Sequence, residues 1–295
     1  MSEFKGIVAA TITPFTPEGE FDEAVFGTIL ESNIKAGVDG FWVSGGTGES
    51  VLLTEDEVIR TAIVSAELCK GRAKSIVHVG ALTTRSAIRM ATGARNAGAD
   101  AISCVPPFFY QPSDEAIINY YCAVADAADL PFFIYNQPKY TGVEFTVPLM
   151  EKMIKAIPQL VGVKHSAPDF NNIHRFTDMG LVVFTGHGSL CLPALSAGAS
   201  GVVDGPLTVA PEIWVGIYNA YLEGSDTRAR ELQDKANKLI ALAARFGMQA
   251  TCKFLTGVRL DIDCGVPRLP IPALSEAQKR ELLSAGEAMN VLKSP

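Results

Sequence analysis

Lys164 closes the apolar run Leu160-Val161-Gly162-Val163, and Tyr135 closes the run Phe132-Phe133-Ile134. A lysine at the end of such a run points into a dry cavity where its charged form is disfavoured, which makes its amine a nucleophile for carbonyl carbon. A tyrosine beside it can pass a proton to or from a substrate oxygen. Both residues also have ordinary explanations. The lysine could snorkel out at a strand end or pair with Glu49, and the tyrosine could be a core aromatic whose hydroxyl caps a loop. Adjacency of the two is what turns a pair of common residues into a candidate site.

A third segment, Ser44-Gly45-Gly46-Thr47-Gly48-Glu49-Ser50, is a glycine-rich turn after a short apolar run. Its glycines let backbone N–H groups converge on a carboxylate or phosphate. It lacks the lysine of a phosphate-binding loop and the spacing of a dinucleotide fingerprint, so a nucleotide is not expected. Glu49 could serve there purely as a hydrogen-bond anchor. His78, His165 and His187 raise a metal-dependent hydrolase as a competitor. Thr11-Ile12-Thr13 stands where such enzymes usually carry a His-x-His pair, and acidic partners are scarce, so no metal is expected.

The elements that must position these groups repeat along the chain. Apolar runs at Ile7–Thr13, Gly40–Val43, Ser75–Val79, Ala101–Val105, Pro131–Tyr135, Leu160–Lys164, Val182–Thr185 and Gly201–Val203 alternate with helical patterns. Spacings of about 20 to 35 residues suit a strand and its crossover helix. Helices are expected over Asp22–Ala36, Thr54–Cys69, Thr84–Ala97, Ser113–Ala128 and Pro148–Ala156, with Thr54 and Glu57 forming a capping box. Ala-Gly junctions at Ala36-Gly37, Ala97-Gly98 and Ala197-Gly198 repeat one helix-ending device. Eight doubly buried strands close most naturally into a (β/α)8 barrel, since an open sheet would leave two edges to protect; an open doubly wound sheet is the alternative. Helical patterns over Thr227–Ala244 and Ser275–Val291, joined by a segment with Pro267, Pro270 and Pro272, predict a C-terminal helical extension. The expected division is therefore a catalytic barrel over 1–224 and a helical region over 225–295.

Composition limits the partners. The chain has 295 residues, 25 basic and 32 acidic side chains, a net charge of -7, and 48% apolar residues. Without a basic excess or a Lys/Arg run, a nucleic-acid binder working by counterion release is excluded. The longest uncharged stretch, Met179 to Val203, is broken by five glycines and Pro193 and cannot be one membrane helix. Met1-Ser2-Glu3-Phe4-Lys5-Gly6 has no basic start followed by an apolar run, so a cytoplasmic protein is expected. The six cysteines show no C-x-x-C spacing and read as buried thiols.

Taken in order, Gly45-Gly46-Thr47-Gly48-Glu49-Ser50, the tyrosine of Tyr135-Asn136-Gln137-Pro138-Lys139-Tyr140-Thr141-Gly142 and the lysine of Gly162-Val163-Lys164 resemble the dihydrodipicolinate synthase/N-acetylneuraminate lyase family. Thr11-Ile12-Thr13-Pro14-Phe15 and the helical tail extend the likeness over essentially the whole chain. The resemblance implies a (β/α)8 barrel in which Lys164 forms a Schiff base with the keto carbon of pyruvate or a related 2-oxo acid, without metal or cofactor. It further implies that the amides of Gly46 and Thr47 hold the carboxylate, that Tyr135 relays the proton, and that a backbone carbonyl near Val203 faces the lysine. Relatives are commonly dimers or tetramers, so a homo-oligomer is expected.

Measured against the family, the chain departs at the substrate end. Dihydrodipicolinate synthases usually carry threonine at the position of Gly46, tyrosine at Phe109 and arginine at Tyr140; sialic acid lyases usually carry an acidic pair at Gly188 and Ser189. The remaining lining expected from the resemblance, Phe109, Tyr140, Ser166, His187 and Ser189 with Phe108, Tyr110, Thr141 and His165, is aromatic and hydroxylic and holds no cation. It suits a neutral aldehyde. The expected activity is a pyruvate-dependent class I aldolase or lyase acting on a 2-keto-3-deoxy sugar acid. Alternatives are synthase or sialic acid lyase activity, a Schiff-base dehydratase, or a barrel that binds 2-oxo acids without turnover.

Overall fold

Eight short strands lie parallel: β1 (Gly6–Ala10), β2 (Gly40–Val43), β3 (Lys74–His78), β4 (Ala101–Cys104), β5 (Phe132–Asn136), β6 (Leu160–His165), β7 (Val182–Thr185) and β8 (Gly201–Asp204). In the computed structural model, which describes residues 4–293, β1 pairs with β2 on one side and with β8 on the other, so the sheet closes. This removes the open-sheet alternative. Met1 to Glu3, which enter the cytoplasmic expectation, lie outside the described residues. The expected strand over Ile7–Thr13 ends at Ala10, where Thr11 N makes one more bond to Trp42 O (3.2 Å) and the chain turns off towards Pro14.

The barrel wall is covered by α1 (Glu23–Lys35), α2 (Glu55–Cys69), α3 (Thr84–Ala97), α4 (Asp114–Ala128), the short α5 (Pro138–Thr141), α6 (Val147–Ala156), α7 (Asn171–Asp178), α8 (Cys191–Ser196) and α9 (Pro211–Leu222). Three tail helices follow: α10 (Asp226–Phe246), α11 (Met248–Leu260) and α12 (Glu276–Ala288). The capping box at Thr54 and Glu57 forms as expected, and Gly37, Gly98 and Gly198 take positive φ at the helix ends. The expected boundary at 224/225 falls in the turn between α9 and α10, and α10 packs on α9. Helix α11 was not expected. The stretch Met179–Val203 is divided among β7, α8 and β8, and among the described residues no helix is long and apolar enough to cross a membrane.

Side chains alternate across the wall with period two, and this sorts them into two cores. Phe41, Val43, Phe132, Ile134, Val163 and Val183 pack outward under the helices, while Trp42, Phe133, Tyr135, Phe184 and Val203 fill the interior. Phe133 stands at the centre, with ring centroids 5.2 Å from Phe4, 6.1 Å from Trp42 and 5.9 Å from Phe184. The barrel is therefore a packed cylinder whose open chemistry is confined to its carboxyl end.

One irregularity sets the phase of β6. The β5–β6 register runs Phe132 with Leu160, then Phe133 with Gly162, so β6 holds one extra residue, a bulge. Beyond it Tyr135 pairs with Lys164 and Asn136 with His165. Gly162 sits where a Cβ would collide with the Phe133 ring and the Val182 carbonyl, so only glycine passes this point without displacing them.

Candidate active site

Lys164 projects inward from the end of β6 and is 4% exposed. Its Nζ lies 4.4 Å from the centre of the Tyr135 ring and 5.1 Å from that of Trp42. Tyr135 meets Trp42 edge-on at 5.8 Å and His78 at 6.0 Å, so the amine stands in a cage of rings. The Tyr135 hydroxyl reaches under the glycine-rich turn, 3.9 Å from where a Cβ on Gly46 would be. Val203 completes the same interior cluster from β8. The structure thus gathers Lys164, Tyr135, Gly46 and Val203 at one end of the barrel.

The turn above them is shaped by bonds from three directions. Thr13 Oγ1 donates to Gly48 O (2.8 Å), Ser44 Oγ shares a hydrogen with Thr61 Oγ1 (2.7 Å), and Gln249 Nε2 of α11 donates to Gly46 O (3.0 Å). Among the described residues, neither the Gly46 nor the Thr47 amide has an acceptor within the protein. Two adjacent N–H groups left this way are free to donate to an anion. Thr47 is half-buried and packs toward Gly205 after β8.

Glu49 does not pair with Lys164. Its carboxylate meets Lys253 Nζ of α11 at 2.7 Å, with both side chains essentially removed from solvent, and accepts the Arg268 amide at 2.7 Å. Lys253 also donates to Val266 O (3.1 Å) and lies 3.9 Å over the Phe15 ring. Arg268 continues the network to Glu57 through its two terminal guanidinium nitrogens, Nη1 and Nη2, and to Leu52 O and Gly19 O. Burial pushes the Lys253 ammonium below its usual range while Glu49 opposes the shift; burial alone would raise Glu57, but the Arg268 bonds bring it below the usual carboxylate value. Gln249, Lys253 and Arg268 are the groups that the sequence patterns did not single out. Basic residues in a tail carry no mark of their partners some two hundred positions earlier.

The three histidines do not share a centre. His78 accepts the Val105 amide at Nε2 (3.3 Å), and burial first, then the charge of Lys164, push it down to about 3. His165 is held between Asn136 Nδ2 (3.2 Å) and Asp169 O (2.9 Å), and burial lowers it as well. His187 is half-buried beside a cavity of about 190 Å³ that His165, Phe170 and Leu190 also line. Among the described residues no group of three or more His, Cys, Asp or Glu could hold a metal ion.

The residues expected around an aldehyde are divided. Ser166 is buried, with its N donating to Asn136 O (2.8 Å) and its hydroxyl unpartnered among the described residues. Ser189 is half-buried after β7. Phe109 and Tyr140, by contrast, are 85% and 72% exposed; Phe109 stacks edge-on with Tyr110, and Tyr140 lies under Lys139 Nζ. Asp204, at the end of β8, accepts the amides of Gly188 (2.9 Å) and Gly205 (2.8 Å), and burial raises its carboxyl despite those bonds and the nearby Lys164.

Residues 3–288 match the family described as the dihydrodipicolinate synthetase family. The chain belongs to this family. Its members are class I, Schiff-base-forming aldolases, and this chain is a carbon–carbon lyase of that kind. It is 30% identical over 285 residues to an N-acetylneuraminate lyase of Rhizobium meliloti (strain 1021), covering 96% of this chain and 94% of that protein. It is 31% identical over 287 residues to a 4-hydroxy-tetrahydrodipicolinate synthase of Phenylobacterium zucineum (strain HLK1), covering 96% of each. Among solved structures it resembles dihydrodipicolinate synthase from Aquifex aeolicus (TM-score 0.91, 29% identity, 98% of this chain and 99% of that one). It also resembles the wild-type Ruminococcus gnavus sialic acid aldolase (TM-score 0.94, 25% identity, 99% of this chain and 98% of that one).

Two measurements follow for this family member. Replacing Lys253 by Met leaves the Glu49 charge buried without its partner, and is expected to lower unfolding stability in urea by about 3–5 kcal/mol; adding Glu49→Gln should restore part of the loss. Between roughly pH 6.5 and the depressed native values, the unfolded chain protonates at His78 and His165 while the native protein does not, so stability falls as pH falls. For His78 alone the loss at pH 5 is about 2 kcal/mol. A His78→Gln variant should show a shallower decline between pH 7.5 and 5, and an equally steep one would contradict the assignment.

Proposed function

We propose that the enzyme cleaves, or in reverse condenses, a 2-keto-3-deoxy sugar acid, with Lys164 as the Schiff-base lysine and Tyr135 as the proton relay. The observation that carries this is the placement of the Lys164 amine, buried beside the Tyr135 ring in register and below a turn with two unengaged amides.

The free amine of Lys164 attacks the keto carbon, and the carbonyl π pair moves to oxygen, which takes a proton. Loss of water, driven by the nitrogen lone pair, leaves a cationic iminium. The bond between C3 and C4 then breaks with its electron pair moving toward the iminium, giving a neutral enamine, while the C4 hydroxyl proton leaves through Tyr135 and an aldehyde departs. Protonation of the enamine at C3 and hydrolysis release pyruvate and restore the amine. The Gly46 and Thr47 amides hold the carboxylate throughout, which keeps the keto carbon in reach of Nζ.

The sugar-acid preference rests on what surrounds this centre. Tyr140 offers no charge for a second carboxylate, and Gly188 offers no acceptor side chain because the Asp204 carboxylate occupies the space a Cβ would need. The unpartnered Ser166 hydroxyl and the half-buried His187 suit a substrate hydroxyl. Identities of 30% and 31% to a lyase and a synthase do not choose between those activities. We also assign a cytoplasmic homo-oligomer, a dimer or tetramer; the exposed aromatic group Phe109, Tyr110 and Tyr140 supports association.

Incubation with pyruvate and borohydride should add one reduced pyruvyl group to the intact mass of the wild-type protein and nothing to Lys164→Ala. Tyr135→Phe should still be trapped, while turnover falls on the order of 10²–10⁴-fold. An unchanged wild-type mass would overturn the Schiff-base assignment. A panel of 2-oxo acids assayed for pyruvate release tests the substrate class; release from N-acetylneuraminate alone, or loss of water without pyruvate, would overturn the sugar-acid preference.

A further inference from the structure

Trp42 is one of two tryptophans in the chain, and it sits at the centre of β2 with no exposed surface. Its neighbours Phe41 and Val43 face the helices, while the indole faces the barrel interior. There it touches the reacting group: Lys164 Nζ is 5.1 Å from the ring centre, on the far wall from β6. The indole N–H has no hydrogen-bond partner among the described residues. The edge carrying it packs under Gly45, where a Cβ would come within 2.8 Å of Cδ1 and 3.2 Å of Nε1. Glycine at the first turn position is thus required by the indole beneath it.

An interior filled for packing alone is better served by Phe, which has no donor to leave buried and unpaired. Four of the neighbouring interior rings, Phe4, Phe133, Phe184 and Tyr135, pack without that penalty or hold their polar atom at the mouth. What indole offers over phenyl is a stronger attraction for a cation on its face. Among the described residues, the one basic group placed against this ring is the group that becomes an iminium in the proposed reaction.

We propose that Trp42 is a catalytic residue whose ring face, together with that of Tyr135, stabilises the cationic iminium on Lys164. This deepens the function proposed above and rests on the Schiff-base role of Lys164. The ring donates no proton and forms no bond; it lowers the energy of the charged adduct relative to free enzyme and 2-oxo acid. Removing it therefore weakens adduct formation at equilibrium.

The experiment measures the pyruvate concentration that half-saturates borohydride trapping, together with thermal unfolding of each variant. Trp42→Leu should raise that concentration roughly tenfold, as expected for loss of a desolvated cation–π contact, and Trp42→Phe should raise it by a smaller factor. In a Trp214→Phe background, Trp42 is the sole tryptophan, and its emission should change on adding pyruvate with the same concentration dependence as trapping. Variants that fold and trap pyruvate at the wild-type concentration overturn the proposal, as does unchanged Trp42 emission while the adduct mass forms. If Trp42→Leu does not fold, Trp42→Phe and the emission measurement still decide. Failure of wild-type protein to form any adduct removes the Lys164 assignment itself, and with it the role of Trp42, so the two failures are distinct.

Discussion

Between the pairs Phe132–Leu160 and Phe133–Gly162, β6 takes in one more residue than β5, and the placement of the amine follows from that insertion. Side chains in a strand alternate between faces, so a shift of one residue exchanges inside for outside. Val161 faces the interior before the bulge, and Lys164, three positions on, faces it again after the bulge. With regular alternation, Val161 and Lys164 would lie on opposite faces. The lysine would then meet the helices, or Val161 would. Gly162 and the Phe133 ring packed against it allow both to be accommodated. A local fault in the ladder is what lets an ammonium-forming side chain and a phenol share one dry chamber.

The second constraint is electrostatic and comes from the tail. Placing the Glu49 carboxylate in the protein interior is tolerable only with a charge partner and satisfied lone pairs. Lys253 supplies the charge and the Arg268 amide supplies a donor, while Phe15 packs against both cations. Since Glu49 terminates the glycine-rich turn with φ of 63°, anchoring it also fixes the amides two and three residues earlier. The helical region is therefore part of the site's architecture, although its helices contribute no group to the proposed chemistry.

The limits of the strands were largely legible because a parallel strand buried on both faces reads as a continuous apolar run, and Gly40–Val43 and Val182–Thr185 coincide with the observed elements. Lys164 and Tyr135 were legible for the same reason, as polar residues ending such runs. Helix α11 was not, because the first-turn sequence after Gly247 has no capping side chain and its apolar positions are interrupted by Lys253 and Arg259. Those two cations form their ion pairs with Glu49 and Glu212, far away in sequence. Trp42 was hidden differently. An aromatic residue in an apolar strand looks like core until the opposite wall is known, and the wall opposite carries the lysine.

Because Gln249 and Arg268 reach back 203 and 219 positions to Gly46 and Glu49, the order of synthesis matters. All eight strands leave the ribosome before Gln249 and Arg268, the tail residues that brace the glycine-rich turn. A nascent chain can close its cylinder while that turn still lacks its contacts with the tail. The finished form of the turn thus arrives last, with the tail, and a prematurely terminated product would carry the buried lysine beneath a turn held from the barrel side alone.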